Sequence, residues 1–193
     1  MSLTPSTMLA LGTPAPAFAL PDVISTNTIS LDNFKGTAAL VVMFICRHCP
    51  YVVHIQDELA KLGRGYAGNS VAFVAISAND AITHPDDAPE KLKEMATRLG
   101  FSFPFCYDER QTVAQAYSAA CTPDFFVFDA ARKLVYRGQL DDSRPGNTIP
   151  VSGKDLRAAL AAVLANQPVS PTQKPSMGCN IKWKPGNTPA YAR

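Results

Sequence analysis

The stretch AALVVMFICRHCPYVV, Ala38 to Val53, places two cysteines where an apolar run gives way to a helical pattern. The run from Ala38 to Ile45 is apolar on successive residues, which is typical of a strand buried on both faces of a sheet. From Pro50 onward the apolar residues recur at three- and four-residue intervals, as one face of a helix requires. They are Val52, Ile55, Leu59 and Leu62. The stretch therefore predicts a buried strand, a C-x-x-C motif and a helix that packs on the sheet.

The spacing of Cys46 and Cys49 favours thiol-disulfide chemistry at the start of the predicted helix. Unpaired backbone N–H groups and the helix dipole favour an anion there, and a thiolate is such an anion. We predict that Cys46 is the attacking thiolate and that Cys49 is the thiol that resolves a mixed disulfide. Arg47 and His48 lie between them, and positive charge from either would favour the charged sulfur and a more oxidising couple.

Two other interpretations of the motif stay open at this point. Cys46 and Cys49 could supply two ligands to zinc or copper, with further ligands from distant positions. Those positions are His48, His54, His84, Cys121 and Cys179. The sequence lacks a second C-x-x-C and any H-x₃-H, so no metal ligand is part of the predicted site. The remaining interpretation is an inert pair of buried cysteines.

The composition of the whole chain narrows the classes of function. With 193 residues, of which 47% are hydrophobic and 18% charged, the chain is expected to form one globular unit. A net charge of +2 gives no hint of nucleic acid or membrane lipid, so neither is a predicted partner. The absence of a secretory signal and of a bilayer-spanning apolar run predicts a cytoplasmic location. In that reducing setting, the five cysteines are expected to serve a reaction or bind a metal rather than to form structural disulfides.

Strand and helix patterns alternate along the rest of the chain. Residues 14–31 hold short alternating pieces typical of an edge hairpin. Asp87 with Glu90 resembles a capping box at the start of a helix, and Ser152 or Asp155 is expected to open the last helix. The patterns predict an α/β structure in which helices flank a central mixed β-sheet, with an N-terminal hairpin extension and a C-terminal extended tail.

A composition shift divides the chain into a predicted domain, residues 1–167, and a proline-rich tail, residues 168–193. Five prolines in the tail disfavour regular structure there. Ile181 and Trp183 are apolar groups worth burying, and they lie close to Cys179. We therefore expect the middle of the tail to pack against the domain and to bring Cys179 near the other cysteines as a possible relay.

The chain resembles the thioredoxin superfamily, and within it the peroxiredoxin-like branch related to alkyl hydroperoxide reductase and redoxin domains. The resemblance covers almost the whole chain and rests on a C-x-x-C after a buried strand and a Thr-Pro pair before another strand. It is carried by GTPAPAFALPD (Gly12 to Asp22), VVMFICRHCP (Val41 to Pro50), VAFVAISAND (Val71 to Asp80), CTPDFFVFD (Cys121 to Asp129) and LVYRGQLDDS (Leu134 to Ser143). A thioredoxin-like fold is what the resemblance implies.

The resemblance also implies roles for the residues around Pro123. Thr122 and Pro123 would form a loop with a cis proline that faces the redox pair and aligns the substrate backbone beside it. Cys121 directly precedes this loop, so it is expected either to help position the substrate or to be a small buried core residue.

Two departures from the family patterns bear on function. Thioredoxins have an aromatic residue before the first cysteine and Gly-Pro between the two, where this chain has Ile45, Arg47 and His48. Peroxiredoxins have P-x-x-x-T-x-x-C, and here Cys46 takes the threonine position while Cys49 takes the peroxidatic position.

The predicted function is thiol-disulfide exchange with a protein or small-molecule disulfide or thiol, without a cofactor and with a reducing partner that the sequence does not specify. A thiol peroxidase acting on hydroperoxides is the first alternative. Arg137 lies in a strand like the one that carries the peroxide-activating arginine of that class. A copper- or zinc-binding module is the second alternative.

Overall fold

A computed structural model describes residues 3–68 and 70–192, which contain ten strands and four α-helices. The strands are β1 (Leu3–Pro5), β2 (Ala19–Pro21), β3 (Thr28–Ser30), β4 (Ala39–Phe44), β5 (Val71–Ser77), β6 (Phe105–Tyr107), β7 (Cys121–Thr122), β8 (Asp124–Phe128), β9 (Leu134–Gly138) and β10 (Met177–Asn180). The helices are α1 (Pro50–Gly65), α2 (Pro89–Leu99), α3 (Thr112–Ala116) and α4 (Lys154–Leu164). Among the described residues, no helix combines the length and apolarity needed to cross a membrane.

The central sheet has five strands in the order β6-β5-β4-β8-β9. Strand β4 is parallel to β5 and antiparallel to β8, so the sheet is mixed. Every residue of β4 is buried. This agrees with the continuous apolar run at 39–44, because a strand covered on both faces has no polar side. The predicted mixed α/β architecture is confirmed.

The two faces of β4 enter two different hydrophobic clusters. Val41 and Met43 pack with the apolar faces of α1, α2 and α4. Leu40, Val42 and Phe44 pack on the other side with Phe18, Phe34 and the side chains of α3. Alternation along a single strand therefore fixes α1, and the motif before it, on one side of the sheet.

The N-terminal extension contains the expected hairpin. Strands β2 and β3 pair antiparallel, with Leu20 opposite Ile29. Leu20 is buried in the second cluster. Backbone contacts join this region to β6 through the isolated bridge between Asp22 and Cys106.

Two helix starts differ from the sequence prediction. Helix α2 is preceded by Ala88 at the N-cap, and Asp87 does not cap it because both of its carboxylate oxygens are bound elsewhere. Helix α4 is preceded by Gly153 with φ of 66°, a left-handed conformation that glycine adopts easily, and neither Ser152 nor Asp155 caps it. Asp87 and Asp155 instead hold loops through their carboxylates. Asp87 accepts from the backbone N–H of Arg47, and Asp155 accepts from the Gln139 side chain.

The tail contains a strand that its prolines do not predict. Strand β10 pairs antiparallel with β1 on one side and with β7 on the other, and Cys179 lies opposite both Leu3 and Thr122. Ile181, just beyond β10, is 1% exposed. The tail is extended at 177–180, but there it forms a paired strand, so the expectation that the prolines exclude regular structure from the whole tail does not hold for these residues. The division into residues 1–167 and 168–193 stays a prediction.

Candidate active site at the two-cysteine motif

The motif lies where the carboxyl end of β4 meets the amino end of α1. Helix α1 begins at Pro50, and Cys49 is its N-cap residue with extended backbone angles. Cys46 lies three residues earlier, in the loop. The sequence pattern predicts Cys46 at the helix N-terminus, whereas the structure has Cys49 at that position. The electrostatic benefit of the helix end is therefore largest at Cys49.

Thr122 joins the two cysteines to the loop that precedes β8. Cys46 Sγ and Thr122 Oγ1 share a hydrogen bond of 3.3 Å, and the Cys49 thiol donates to the Thr122 carbonyl at 3.2 Å. The Thr122-Pro123 peptide bond is cis, as the family resemblance implied. The structure thus brings Cys46, Cys49, Thr122 and Pro123 together.

The pKa of Cys49 is lowered to about 5. The largest cause is a hydrogen bond from the Cys46 side chain, and burial works in the opposite direction. Further donors are the Cys179 thiol and the backbone N–H groups of Cys179 and Val52. The hydrogen bond to the Thr122 carbonyl exists only while Cys49 is protonated, because a thiolate has no proton to donate. Cys49 is therefore the sulfur that holds the negative charge.

The pKa of Cys46 is raised well above its usual value. The hydrogen bond to Cys49 is the largest cause, followed by burial and by the negative charge of Asp87, while the Thr122 hydroxyl acts in the opposite direction. The prediction from the sequence, a lowered pKa at Cys46, differs from this result. Two close sulfurs share one charge, and the donors around Cys49 decide which sulfur carries it.

Asp87 organises the loop between the cysteines. Its Oδ1 accepts hydrogen bonds from the backbone N–H groups of Arg47 and His48, at 2.8 and 3.3 Å. Its Oδ2 lies 2.5 Å from Nδ1 of His48 and accepts from the Asn79 amide at 2.7 Å. Burial alone would raise the pKa of Asp87, yet the bonds from His48 and Asn79 lower it. The hydrogen bond between the His48 ring and the Asp87 carboxylate is also the largest cause of the raised pKa of His48.

The two residues between the cysteines each have an acidic partner. The Arg47 guanidinium binds the exposed carboxylate of Asp86 at 3.2 Å. The His48 ring faces Asp87 and stacks on His84 with ring centroids 5.3 Å apart. Positive charge from either residue is therefore paired with a nearby acid, and its effect on the Cys46 thiol is offset.

Cys46, His48 and Asp87 have ligand atoms within 4.8 Å of one another, a spacing that a metal ion can bridge. Each oxygen of Asp87, however, already has two donors. A carboxylate with its lone pairs occupied in this way is a poor metal ligand. The arrangement fits a hydrogen-bond network better than a metal centre.

Cys121 and Cys179 lie beside the pair in different ways. Cys179 is hydrogen-bonded to Cys49 and has a pKa raised to about 12, first by burial and then by that bond. The Cys121 thiol donates to the Pro123 carbonyl at 3.7 Å, and burial raises its pKa well above the usual value. Cys121 is therefore a protonated thiol directed at the backbone, whereas Cys179 touches the sulfur that carries charge.

Access to the pair is closed in this conformation. Cys46, Cys49 and Cys179 are 1%, 0% and 4% exposed. All five cysteines are buried thiols. Chemistry with an external molecule therefore requires the cover over Cys49 to move.

Comparison with known proteins identifies the family. A profile of the Redoxin family matches residues 10–156, which is more than half of the chain. The chain belongs to the Redoxin family. Its match to this family includes the cysteine motif, Thr122, Pro123 and the whole central sheet, but it ends before β10.

Two Redoxin-like relatives carry redox names. A Mycobacterium tuberculosis protein provisionally named a peroxiredoxin is 29% identical over 117 residues, which are 61% of this chain and 69% of that protein. The thiol-disulfide oxidoreductase ResA of Geobacillus kaustophilus is 26% identical over 128 residues, 65% of this chain and 67% of that protein.

The solved structures agree on the fold. A conserved protein of Geobacillus kaustophilus with no described function is 55% identical, with a TM-score of 0.94 over 96% of this chain and 98% of that one. Thioredoxin-like structures at 22% and 19% identity superpose with TM-scores of 0.62 and 0.63, which shows the fold alone. This Redoxin-family chain has a thioredoxin-like fold.

Two polar residues of the site, Asn79 and Asp87, are not predicted from the sequence. The local pattern of Asp87 predicts a helix cap, because Glu90 follows it at the capping-box spacing. Asn79, at the end of the VAFVAISAND segment, binds Asp87 and also accepts from the backbone N–H of Lys182. A signal was available for Asn79, which lies two residues after β5, since polar residues that follow buried parallel strands gather at one edge of a sheet.

Proposed function

We propose that this protein is a thiol-disulfide oxidoreductase whose working group is the dithiol of Cys46 and Cys49. The observation that carries the proposal is the environment of Cys49. A buried sulfur at a helix N-cap, with hydrogen bonds from two thiols and two backbone amides, is held as a thiolate at neutral pH. The Redoxin family and the relative named as a thiol-disulfide oxidoreductase support the same class of reaction.

The proposed reaction has two exchange steps. The Cys49 thiolate attacks one sulfur of a substrate disulfide, forms a mixed disulfide and releases the other substrate sulfur as a thiolate. Cys46 then gives its proton to that leaving thiolate and attacks Cys49 Sγ, so the mixed disulfide breaks and the Cys46–Cys49 disulfide forms. The Thr122 hydroxyl, 3.3 Å from Cys46 Sγ, can donate to the charge that develops there. The substrate leaves as one thiol and one thiolate, which takes its proton from solvent, and an external dithiol resets the pair by leaving as a disulfide.

This order reverses the roles that the sequence predicts for the two cysteines, in which Cys46 attacks and Cys49 resolves. The reversal rests on the donors that surround Cys49 and on the Asp87 charge that disfavours the Cys46 thiolate. Pro123 and Thr122 keep their proposed part in positioning the substrate. A reducing compartment such as the cytoplasm, with a dithiol donor, is the proposed setting.

The first test compares Cys46→Ser, Cys49→Ser and the control Cys106→Ser in reduction of insulin disulfides with dithiothreitol as donor. We expect Cys49→Ser to fall to the uncatalysed background, a loss on the order of 10³-fold. Cys46→Ser is expected to turn over more slowly, with Cys49 held in a disulfide to the substrate or to its neighbour Cys179. The control should keep wild-type activity, because Cys106 lies in β6 within the other hydrophobic cluster.

Three outcomes of this test are informative. Wild-type activity in Cys49→Ser would contradict the proposal. A mixed disulfide trapped at Cys46 in that same variant would restore the original order of attack. An unchanged rate in all three variants would show that the motif is not the working group.

A thiol peroxidase is the second candidate, favoured by one observation. Cys46 stands where peroxiredoxins have threonine, and its side chain hydrogen-bonds to Cys49, the sulfur at the peroxidatic position. Arg137 does not support it, because Nε donates to the Leu9 carbonyl and Nη1 to the Gln173 side chain. Hydroperoxide consumption by the same variants separates the candidates, since a peroxidase forms Cys49 sulfenic acid and releases an alcohol without any disulfide substrate.

A further inference from the structure

Strand β10 is bound at the active site in the manner of a peptide. It pairs antiparallel with β7, placing Cys179 opposite Thr122 and Asn180 opposite Cys121. An extended segment that adds to a sheet edge through backbone hydrogen bonds is a common mode of peptide recognition. Here the segment belongs to the same chain, and the edge it occupies is the strand that contacts both motif sulfurs.

The side chain that β10 presents to the pair is a cysteine. Both the thiol and the backbone N–H of Cys179 bind the Cys49 sulfur. Cys46 binds Cys49 as well, so the thiolate has one thiol neighbour from the motif and one from the tail. Any disulfide made by Cys49 therefore has two candidate thiols that can resolve it.

The fit between β10 and β7 is close at the residue before Cys179. A Cβ atom added to Gly178 would lie 1.9 Å from the Thr122 carbonyl oxygen and 3.2 Å from Pro123 Cδ. No side chain can occupy that space, since real Cβ contacts do not fall below about 3 Å. Glycine at 178 is thus required for β10 to pair with β7 and to bring Cys179 onto Cys49.

We propose that β10 is a built-in substrate strand and that Cys179 is a third redox thiol of this enzyme. The step is an intramolecular exchange. Cys179 Sγ attacks Cys49 Sγ of the Cys46–Cys49 disulfide. The Cys46–Cys49 bond breaks, a Cys49–Cys179 bond forms, and the proton of Cys179 passes to Cys46. The product is a Cys49–Cys179 disulfide with Cys46 as a thiol, and the number of electrons is unchanged.

The proposal rests on the proposed function, because the Cys46–Cys49 disulfide that enters the step is the product of substrate reduction. It assigns two states to the oxidised protein. In one, β10 is held to the motif by hydrogen bonds. In the other, it is held by a covalent bond, and Cys46 is returned to the thiol form. The negative charge of the Cys49 thiolate disfavours ionisation of Cys179 in the reduced protein. This effect is lost when Cys49 is in a disulfide, because its sulfur is then uncharged.

The test maps disulfides in the full-length protein after oxidation with an equimolar amount of diamide and blocking of the remaining thiols. Trypsin cleaves after Arg47, between the two motif cysteines, so the Cys46–Cys49 and Cys49–Cys179 linkages give different pairs of linked peptides. We expect both linkages in the wild-type protein and Cys49–Cys179 alone in Cys46→Ser. Cys106 and Cys121 should remain blocked thiols and serve as internal controls.

A glycine variant tests the strand itself. Gly178→Ala should displace β10, lower the yield of the Cys49–Cys179 linkage and raise the rate of Cys49 alkylation on the order of tenfold, because local opening sets access to a buried thiol. The matched control is Gly65→Ala, where an added Cβ meets nothing within 4 Å. Circular dichroism of both variants checks that the fold persists. If Gly178→Ala does not fold, the Cys46→Ser result decides alone.

The results separate this proposal from the proposed function. Absence of the Cys49–Cys179 linkage in both wild type and Cys46→Ser overturns the third-thiol proposal, and insulin reduction by the wild type would then leave the proposed function intact. Conversely, the linkage in a protein that does not reduce insulin would support the strand assignment and count against the proposed function.

Discussion

Cys49 and Cys106 are both 0% exposed, yet the pKa values of their thiols are shifted in opposite directions. Burial, followed by the negative charge of Asp22, raises the pKa of Cys106 to about 12. Hydrogen bonds lower the pKa of Cys49 to about 5 although burial opposes them. Exclusion from water therefore does not decide whether a cysteine ionises. The number of donors directed at the sulfur decides it.

The position of each cysteine in its element explains the contrast. Cys106 is within β6, where its backbone is paired with Ile76 of β5 and its side chain points into an apolar cluster. Cys49 is the N-cap residue of α1, and the thiols of Cys46 and Cys179 reach its sulfur. A side chain inside a paired strand meets mainly apolar neighbours, whereas one at the start of a helix can meet donors from other elements.

The largest expected effect is on thiolate formation. In the reduced wild-type protein, the ultraviolet absorbance of thiolate should rise as pH increases through about 5, because the Cys49 proton is lost there. This inflection should vanish in Cys49→Ser and persist in Cys106→Ser. A wild-type protein whose first thiolate appears only above pH 8 would remove the distinction between the two cysteines.

The next effect is on the reduction potential. A stabilised Cys49 thiolate favours the reduced pair, so the potential should lie above that of thioredoxin, which is about −270 mV. Equilibration with glutathione followed by thiol blocking measures it. Cys106→Ser should leave the value unchanged. A potential at or below the thioredoxin value would mean that the donors around Cys49 do not favour its reduced form.

The smallest effect concerns the acid beside the motif. In Asp87→Asn the pKa of His48 should return towards about 6.5, its ordinary value, and the pKa of Cys46 should fall, which narrows its difference from Cys49. The control is Asp86→Asn, an exposed neighbour whose side chain contacts Arg47. NMR titration of the His48 ring measures the first change.

Asp87→Asn should also change how the stability of the folded protein depends on pH. A raised pKa in the folded protein means that His48 contributes stability below its ordinary pKa and that the contribution is lost as pH rises through the raised value. Chemical unfolding of wild type should therefore show this decline with pH from His48, and Asp87→Asn should reduce it. Equal slopes in both proteins would contradict the assignment of Asp87 as the partner of His48.

Local patterns in the sequence predict most of the secondary structure that positions the two cysteines. The apolar run of β4, the three- and four-residue spacing in α1 and the alternation of the hairpin each depend on neighbours in the chain, so they can be recognised without coordinates. The family resemblance adds the cis bond before Pro123. What sequence patterns describe well is therefore the position of Cys46 and Cys49 at a strand-to-helix junction.

The charge distribution at the site depends on contacts between distant residues. Asp87 has a local pattern that favours a helix cap, but its partners Arg47 and His48 are about 40 positions away. Likewise, nothing near Met177–Asn180 indicates a strand, because its partners are β1 and β7. The preference for charge on Cys49 combines the local hydrogen bond from Cys46, its largest cause, with distant contributions from Cys179 in the tail and from Asp87.

Strand β10 is the middle strand of its small sheet and is therefore not a loose flap over Cys49. To uncover the sulfur it must separate from β7 while still joined to β1, or leave both partners together. The chain end at residues 3–5 thus acts as a latch, reinforced by the hydrogen bond from Ser6 N to Ser176 O at 2.9 Å. If another protein's strand paired with β1 and drew it away, β10 would lose one of its two partners and the cover over the Cys49 sulfur would loosen.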